Sequence, residues 1–156
     1  IQKFSDMNLV LLGNGPEMEK LQSIVKEKNL EKNVEFRGWI NRNDLPDQIN
    51  DASISIGPLK RTTVTENALP IKVLEYMASS LPILAISGTL PDDVLIHGKN
   101  GYFVKDSKEL GEKICELLKC PELIESMGDE SLKMVQKFSW EKIVSDILKS
   151  YESIRN

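Results

Sequence analysis

What most constrains the fold of this chain is the repeated change of period in its hydrophobic residues. Short apolar runs alternate with stretches in which apolar side chains recur every three or four positions, the pattern of a parallel sheet with crossover helices. "NLVLLGNG" supplies a continuous run from Leu9 to Leu12, stopped by Gly13 and Gly15. Met18, Leu21 and Val25 then recur at helical spacing behind Pro16, a residue suited to a first helical turn. Val34 and Phe36 read as a strand, "RNDLPDQINDA" as a short helix capped by Asn43 or Asp44, and Ile54 and Ile56 as a further strand. After the polar loop "PLKRTTVTENAL" come a helix over 70–79, the strand "PILAIS", a turn from Gly98 to Gly101 and a strand from Tyr102 to Val104. The last third reads as helices over about 107–119, 121–137 and 139–154.

The predicted architecture is therefore α/β, with a parallel sheet and crossover helices. A chain of 156 residues that is 40% hydrophobic can bury its own core, and no repeat or Pro/Gly-rich linker divides it, so one domain over 1–156 is expected. "IQKFSDM" reads as the tail of a helix feeding the strand at Leu9, as though the chain opened inside a domain. In the final helix, Trp140, Ile143, Val144, Ile147, Leu148, Tyr151 and Ile154 share one stripe behind Ser139 as cap. So much apolar surface implies that the helix is core or docks against another domain.

Charge and cysteine content narrow the function classes. A net charge of −4 and a pI near 5.2 argue against nucleic acid or an anionic membrane as the main partner, while leaving room for a local anion site. Cys115 and Cys120 lack the C-x-x-C spacing of a zinc or redox pair. With no apolar run near the ~20 residues of a membrane span and no charged-then-apolar leader, the reading is of a cytoplasmic protein. His97 is the sole histidine, so a histidine-based triad or metal cluster is not available within the chain and a turn role fits it. "GNGPE" lacks the third glycine of a dinucleotide fingerprint, since Met18 stands there. The pairs Asp92 and Asp93, and Asp44 and Asp47, sit beside turn and cap signals, and no metal is expected.

The stretch "ALPIKVLEYMASSLPILA" carries the chemistry. A helix opening on Pro70 leaves the amides of Ile71, Lys72 and Val73 at its N-terminal end, where the helix dipole favours an anion and a phosphate is the natural guest. Spacing assigns Ile71, Leu74 and Ala78 to the core face, and Lys72, Glu75 and Ser79 to the opposite stripe. Lysine adds charge to a phosphate site, and a carboxylate one turn on can accept two hydrogen bonds from a diol such as ribose. The same residues also fit an i, i+3 ion pair on a solvated face. Likewise, "LKRTT" can meet phosphates from its loop or be a solvated basic loop.

This segment resembles the donor-nucleotide segment of retaining glycosyltransferases with the GT-B fold, the group that includes glycogen-synthase-like enzymes and many mannosyl- and glucosyltransferases. Its pattern, roughly P-x-K-x-x-E-Y-M-A-x-G-x-P-V-x-A, is matched by Pro70, Lys72, Glu75, Tyr76, Met77, Ala78, Pro82 and Ala85. "LVLLGNGPE", "VEFRGWI", "LPDQINDASISIGP", "HGKNGYFV" and the C-terminal "FSWEKI" resemble further segments of the family in the same order, over about residues 8 to 155.

The resemblance implies an α/β fold with a Rossmann-like doubly wound parallel sheet and helices on both faces, one half of a GT-B fold, forming a donor-binding C-terminal domain that takes a nucleotide-diphospho-sugar of UDP or GDP type as substrate, with no cofactor. By position it implies that Glu75 holds the ribose hydroxyls, that Leu69, Pro70, Ile71 and Lys72 meet the pyrophosphate and sugar, and that Gly38, Trp39 and Ile40 border the base. A glutamate eight residues before the ribose-binding one contacts the sugar in much of the family. Asn67 holds that place here and Glu66 stands one residue earlier, so both are candidate catalytic residues. Ser80 replaces a usual glycine, which suits a turn that does not need φ > 0. The family's N-terminal acceptor domain and its upstream basic pair for the diphosphate are absent from the chain. The expected partner is that domain of the same polypeptide, through which the whole protein could meet the cytoplasmic membrane face peripherally. The expected activity is sugar transfer with retention, with this chain inactive alone. A GT-B-type sugar-nucleotide epimerase and a non-catalytic interaction domain of the same fold are the alternatives.

Overall fold

A computed structural model describes residues 7–63 and 68–154. The helical tail expected before the first strand falls mostly at 1–6, outside the described residues. The chain divides into two compact units, 1–48 and 49–156.

The first unit is a β–α–β motif. Strand β1 (Leu9–Leu12), helix α1 (Met18–Glu27) and strand β2 (Val34–Gly38) follow in order, and the strands pair in parallel with Leu9 opposite Val34 and Leu11 opposite Phe36. The helix starts later than Pro16 suggested: Glu17 is the cap residue and Pro16 stands in the preceding turn. Of the three residues assigned to its apolar face, Met18 and Val25 are half-buried while Leu21 is exposed. Asn29, with φ 53°, turns the chain out of α1 in a left-handed conformation that asparagine tolerates. A short helix, α2 (Leu45–Asn50), spans the boundary between the units. In the turn before it, Asn41 Oδ1 accepts from the Asn43 amide (3.0 Å), and neither predicted cap side chain, Asn43 nor Asp44, caps the helix among the described residues.

The second unit holds a three-stranded parallel sheet of β3 (Ser55–Ile56), β4 (Ile83–Ile86) and β5 (Gly101–Val104), with β4 in the centre. Ser55 pairs with Ile83, and Ile83 to Ile86 pair residue by residue with Gly101 to Val104. Helix α3 (Ile71–Ala78) crosses over between β3 and β4; α4 (Ser107–Leu117), α5 (Pro121–Val135), a 3₁₀ turn (Gln136–Phe138) and α6 (Trp140–Ile154) follow β5.

Strand β4 shows why a central parallel strand reads as an unbroken apolar run. Successive side chains point to opposite faces, and both faces are covered. Ile83 and Ala85 join Val73 and Met77 of α3 with Leu90, Val94 and Leu95 in one cluster. Leu84 joins Leu117 of α4 and Met127 of α5 in the other. Ile83, Leu84 and Ala85 have no exposed surface, and burying each of the two larger ones is worth about 1.5–3 kcal/mol. Helix α5 wraps from one face to the other, since Met134 and Val135 at its far end pack against the first cluster.

The helix ends in this unit follow their sequence signals. Asp106 caps α4 by accepting from the Glu109 amide (2.9 Å), while Glu109 reaches back to the Lys105 amide (2.8 Å). The Glu109 amide holds the Asp106 carboxyl below its usual range. Pro121 opens α5, and Ser139 caps α6 by accepting from the Lys142 amide (3.2 Å).

Candidate functional site

The helix predicted to meet an anion is present, two residues shorter than expected. Pro70 is its cap residue (φ −67°, ψ 129°) and not its first helical residue. The Pro70 carbonyl already accepts from the Val73 amide (2.9 Å), so Val73 leaves the set of three free donors. The amides of Ile71 and Lys72 have no acceptor among the described residues. No acidic side chain lies in the first turn to offset the positive end of the helix.

The face assignment changes as well. Val73 and Met77 are fully buried and anchor α3 to β4, with Leu69 and Leu74 packed beside them. Ile71 is 68% exposed and Ala78 is exposed too, against the expectation that both face the core. The buried stripe is thus rotated by about one residue: Val73 and Met77, an i, i+4 pair, face the sheet and Leu74 packs beside them. The wet side keeps Lys72, which is exposed, and Glu75, which is half-buried. No ion pair joins Lys72 to Glu75 among the described residues, so the surface-pair reading of these two is not what the structure shows. Burial of Tyr76, with the neighbouring charge of Glu75 adding to it, pushes the phenol above its usual range and keeps it a neutral donor.

The helix ends in a left-handed turn. Leu81 N donates to Tyr76 O (3.1 Å) and Ser80 N to Met77 O (3.1 Å), the paired bonds of a Schellman motif with Ser80 at the position glycine favours. Ser80 has φ 54°, so the turn does require positive φ, contrary to the sequence reading, and a serine adopts it. This closure delivers the chain directly into β4.

Leu69 and Pro70 are half-buried at the carboxyl edge of this unit's sheet, immediately before α3. In the first unit, the Gly13 amide donates to Gly38 O (2.6 Å) and the Asn14 side chain lies beside Gly38, tying the glycine turn to the end of β2. Trp39 follows with 83% of its surface exposed, and Ile40 is half-buried. Each unit therefore carries its share of the predicted site residues at the carboxyl ends of its own strands, where open α/β sheets take ligands. Glu66 and Asn67 lie outside the described residues.

A turn that the sequence reading did not single out belongs to the same edge. Ser87, Gly88 and Thr89 follow β4, and Thr89 is fully buried with its hydroxyl donating to Ile86 O (2.7 Å). The signal available was a Gly-Thr pair closing an apolar strand. Of the residues weighed as metal ligands, Asp93 pairs with Lys137 (2.8 Å), which holds its carboxyl below the usual range. His97 accepts from the Phe103 amide through Nδ1 (3.2 Å), as a turn residue would. No helix among the described residues is long and apolar enough to cross a membrane.

Comparison with known proteins bears on the family and the fold. An uncharacterized glycosyltransferase of Haemophilus influenzae is 32% identical over 149 residues, covering 93% of this chain and 40% of that protein. One from Methanocaldococcus jannaschii is 28% identical over 151 residues, covering 96% of this chain and 41% of the relative. The chain thus spans about two fifths of the length of these relatives. Among solved structures, Anabaena HepE in complex with UDP-glucose superposes with a TM-score of 0.80 at 19% identity, over 96% of this chain and 42% of that one, which shows a shared GT-B fold. The family model for glycosyl transferases group 1 matches residues 1–134, and the chain belongs to that family.

Proposed function

We propose that this chain is the nucleotide-sugar-binding half of a retaining GT-B glycosyltransferase. The observation that carries the reading is the start of α3: two amides without acceptors among the described residues, an exposed Lys72 beside them, and Glu75 one turn further along on the wet side. Those groups suit a diphosphate followed by a ribose diol, and HepE, its structural relative, is described with UDP-glucose bound.

In this reading the Ile71 and Lys72 amides and the Lys72 ammonium take the diphosphate, with Leu69 and Pro70 shaping the approach. Glu75 accepts from the ribose hydroxyls, and Gly38, Trp39 and Ile40 border the base. The sugar contact falls to Glu66 or Asn67, which precede α3 in the sequence. The site needs no resident metal or cofactor. Its contribution to rate is positioning, together with stabilisation of the charge that gathers on the departing diphosphate by dipoles already aimed at it. The acceptor comes from an N-terminal domain of the same polypeptide, the chain alone does not turn over, and the enzyme works in the cytoplasm or at the cytoplasmic membrane face.

Calorimetry on the full-length protein tests the donor site. UDP or GDP should bind, and Glu75→Ala should weaken binding by about tenfold, the value of one or two hydrogen bonds to a charged acceptor. Absence of binding by any nucleoside diphosphate would sink the proposal. A second reading, a non-catalytic interaction domain, is favoured by the exposed apolar stripe of α6. It requires that Lys72 and Glu75 can be replaced without loss of function.

A further inference from the structure

Strand β5 ends the β3–β4–β5 sheet, so one of its two backbone edges has no strand beside it in that sheet. Such an edge presents N–H and C=O groups that pair with any strand that reaches them, and folds seal it by local means. The inward groups are fixed by their bonds to β4: Asn100 O accepts from Ile83 N (3.1 Å) and Val104 O from Ser87 N (2.9 Å). Backbone groups of successive strand residues point to alternate sides, so those of Gly101, Phe103 and Lys105 face outward. Three of these outward groups are taken by the chain itself. The Gly101 carbonyl accepts from Gly98 N (2.8 Å), the Phe103 amide donates to His97 Nδ1 (3.2 Å) and the Lys105 amide to Glu109 Oε2 (2.8 Å). The turn at 97–101 thus folds back over the free edge, with His97 bridged to Gly101.

His97 differs from the other seals in its chemistry. An imidazole accepts through Nδ1 only while it is neutral with its proton on Nε2; protonated, it is a donor at both nitrogens and meets the Phe103 amide donor to donor. Histidine is the side chain whose charge ordinarily changes between about pH 5 and 8. The ring is exposed, and no carboxylate pairs with it among the described residues, so nothing there holds the charged ring in place. The titratable and charged groups around it are Tyr102 of β5, whose ring meets the imidazole edge to face (centroids 5.3 Å apart, planes at 80°), Lys113 of α4 over that ring (4.6 Å), and Lys99 in the same turn. Lys113 is paired with Glu116 (2.6 Å) and Lys99 with Glu130 of α5 (3.0 Å). We infer that His97 is a pH-operated latch on the free edge of β5: neutral, it seals the Phe103 amide, and protonated, it releases it. The protection it lends the edge is present while the imidazole is neutral and is lost as falling pH protonates it. The latch stands apart from the donor-site reading and does not depend on it.

Hydrogen exchange at single-residue resolution on the full-length protein, corrected for the intrinsic pH dependence of the exchange rate, reads the latch. Between about pH 7.5 and 5.5 the protection of the Phe103 amide should fall by about fivefold, the worth of one neutral hydrogen bond. The Val104 amide, on the side facing β4, should change by less than about twofold. His97→Asn, which sets a side-chain oxygen that does not titrate near the place of Nδ1, should keep the Phe103 amide protected across the same range. His97→Ala should show at the higher pH the protection that the wild type shows at the lower. A wild-type Phe103 amide whose protection stays constant would overturn the inference, as would a fall in His97→Asn equal to that of the wild type, or full protection in His97→Ala. A parallel fall at Val104 would overturn it too, because that marks loosening of the whole sheet.

Discussion

Ser80 is the residue at which local chemistry and backbone conformation disagree most clearly. The Schellman turn that ends α3 needs a left-handed residue, and serine there holds φ 54°. Its Cβ crowds the following carbonyl in that conformation, at a cost of roughly 1 kcal/mol that glycine does not carry. Ser80→Gly should therefore raise stability by about 0.5–1 kcal/mol, read as a higher midpoint of urea unfolding with an unchanged slope. A lower midpoint would mean that the serine side chain has a role beyond its φ. Ile71 teaches the complementary lesson. Its spacing assigned it to the core, yet it is exposed at the start of α3, because it lies off the stripe that Val73 and Met77 turn to the sheet.

At the scale of elements, α3 is held against β4 by Val73 and Met77 and crossed at close range by α5. Gly128 lies where α5 passes the C-terminal turn of α3, and a Cβ there would sit 2.0 Å from the Ser80 carbonyl oxygen. The obstacle is backbone and cannot rotate away, so Gly128→Ala should cost about 3 kcal/mol or more. Thermal unfolding should show Tm falling well beyond the change seen for an alanine at Gly111, a helical glycine of α4 with nothing within 4 Å. Equal effects at the two sites would show that the helices separate easily. Other elements were legible in advance. The positions of β1, β2, β4, β5 and the three C-terminal helices follow from apolar period and caps, and Ser139 caps α6 as its place before Trp140 suggests. Strand β3 was harder, since only Ser55 and Ile56 pair while Ile54 packs from outside the ladder.

For the whole molecule, the informative surface is the stripe along α6. Trp140, Leu148, Tyr151 and Ile154 are all more than half exposed, and α6 buries none of its residues. An amphipathic helix this apolar was expected to be core or to dock, and within the described residues it is not core. Replacing Leu148 and Tyr151 together by glutamate and lysine should change the stability of this chain by no more than about 0.5 kcal/mol. Met77→Ala, in the first cluster, should cost about 2–5 kcal/mol. Denaturant melts of the two variants give the comparison directly, and a large loss from the α6 variant would show that the stripe is covered within the chain.

The sequence by itself determined the order of elements, the parallel pairing and the group of residues at the start of α3, because period, caps and glycine turns are properties of neighbours along the chain. The family was legible for the same reason, since Pro70, Lys72, Glu75 and Tyr76 lie within a single helix and its entry. Only the tertiary structure decided which face of that helix is buried, that Val73 and not Ile71 is the anchor, and that the Val73 amide is already taken by Pro70. It alone set Gly128 against the Ser80 carbonyl, two residues far apart in the chain that no local pattern connects. Burial and close approach depend on what the rest of the chain brings against an element, and spacing along one element cannot report it.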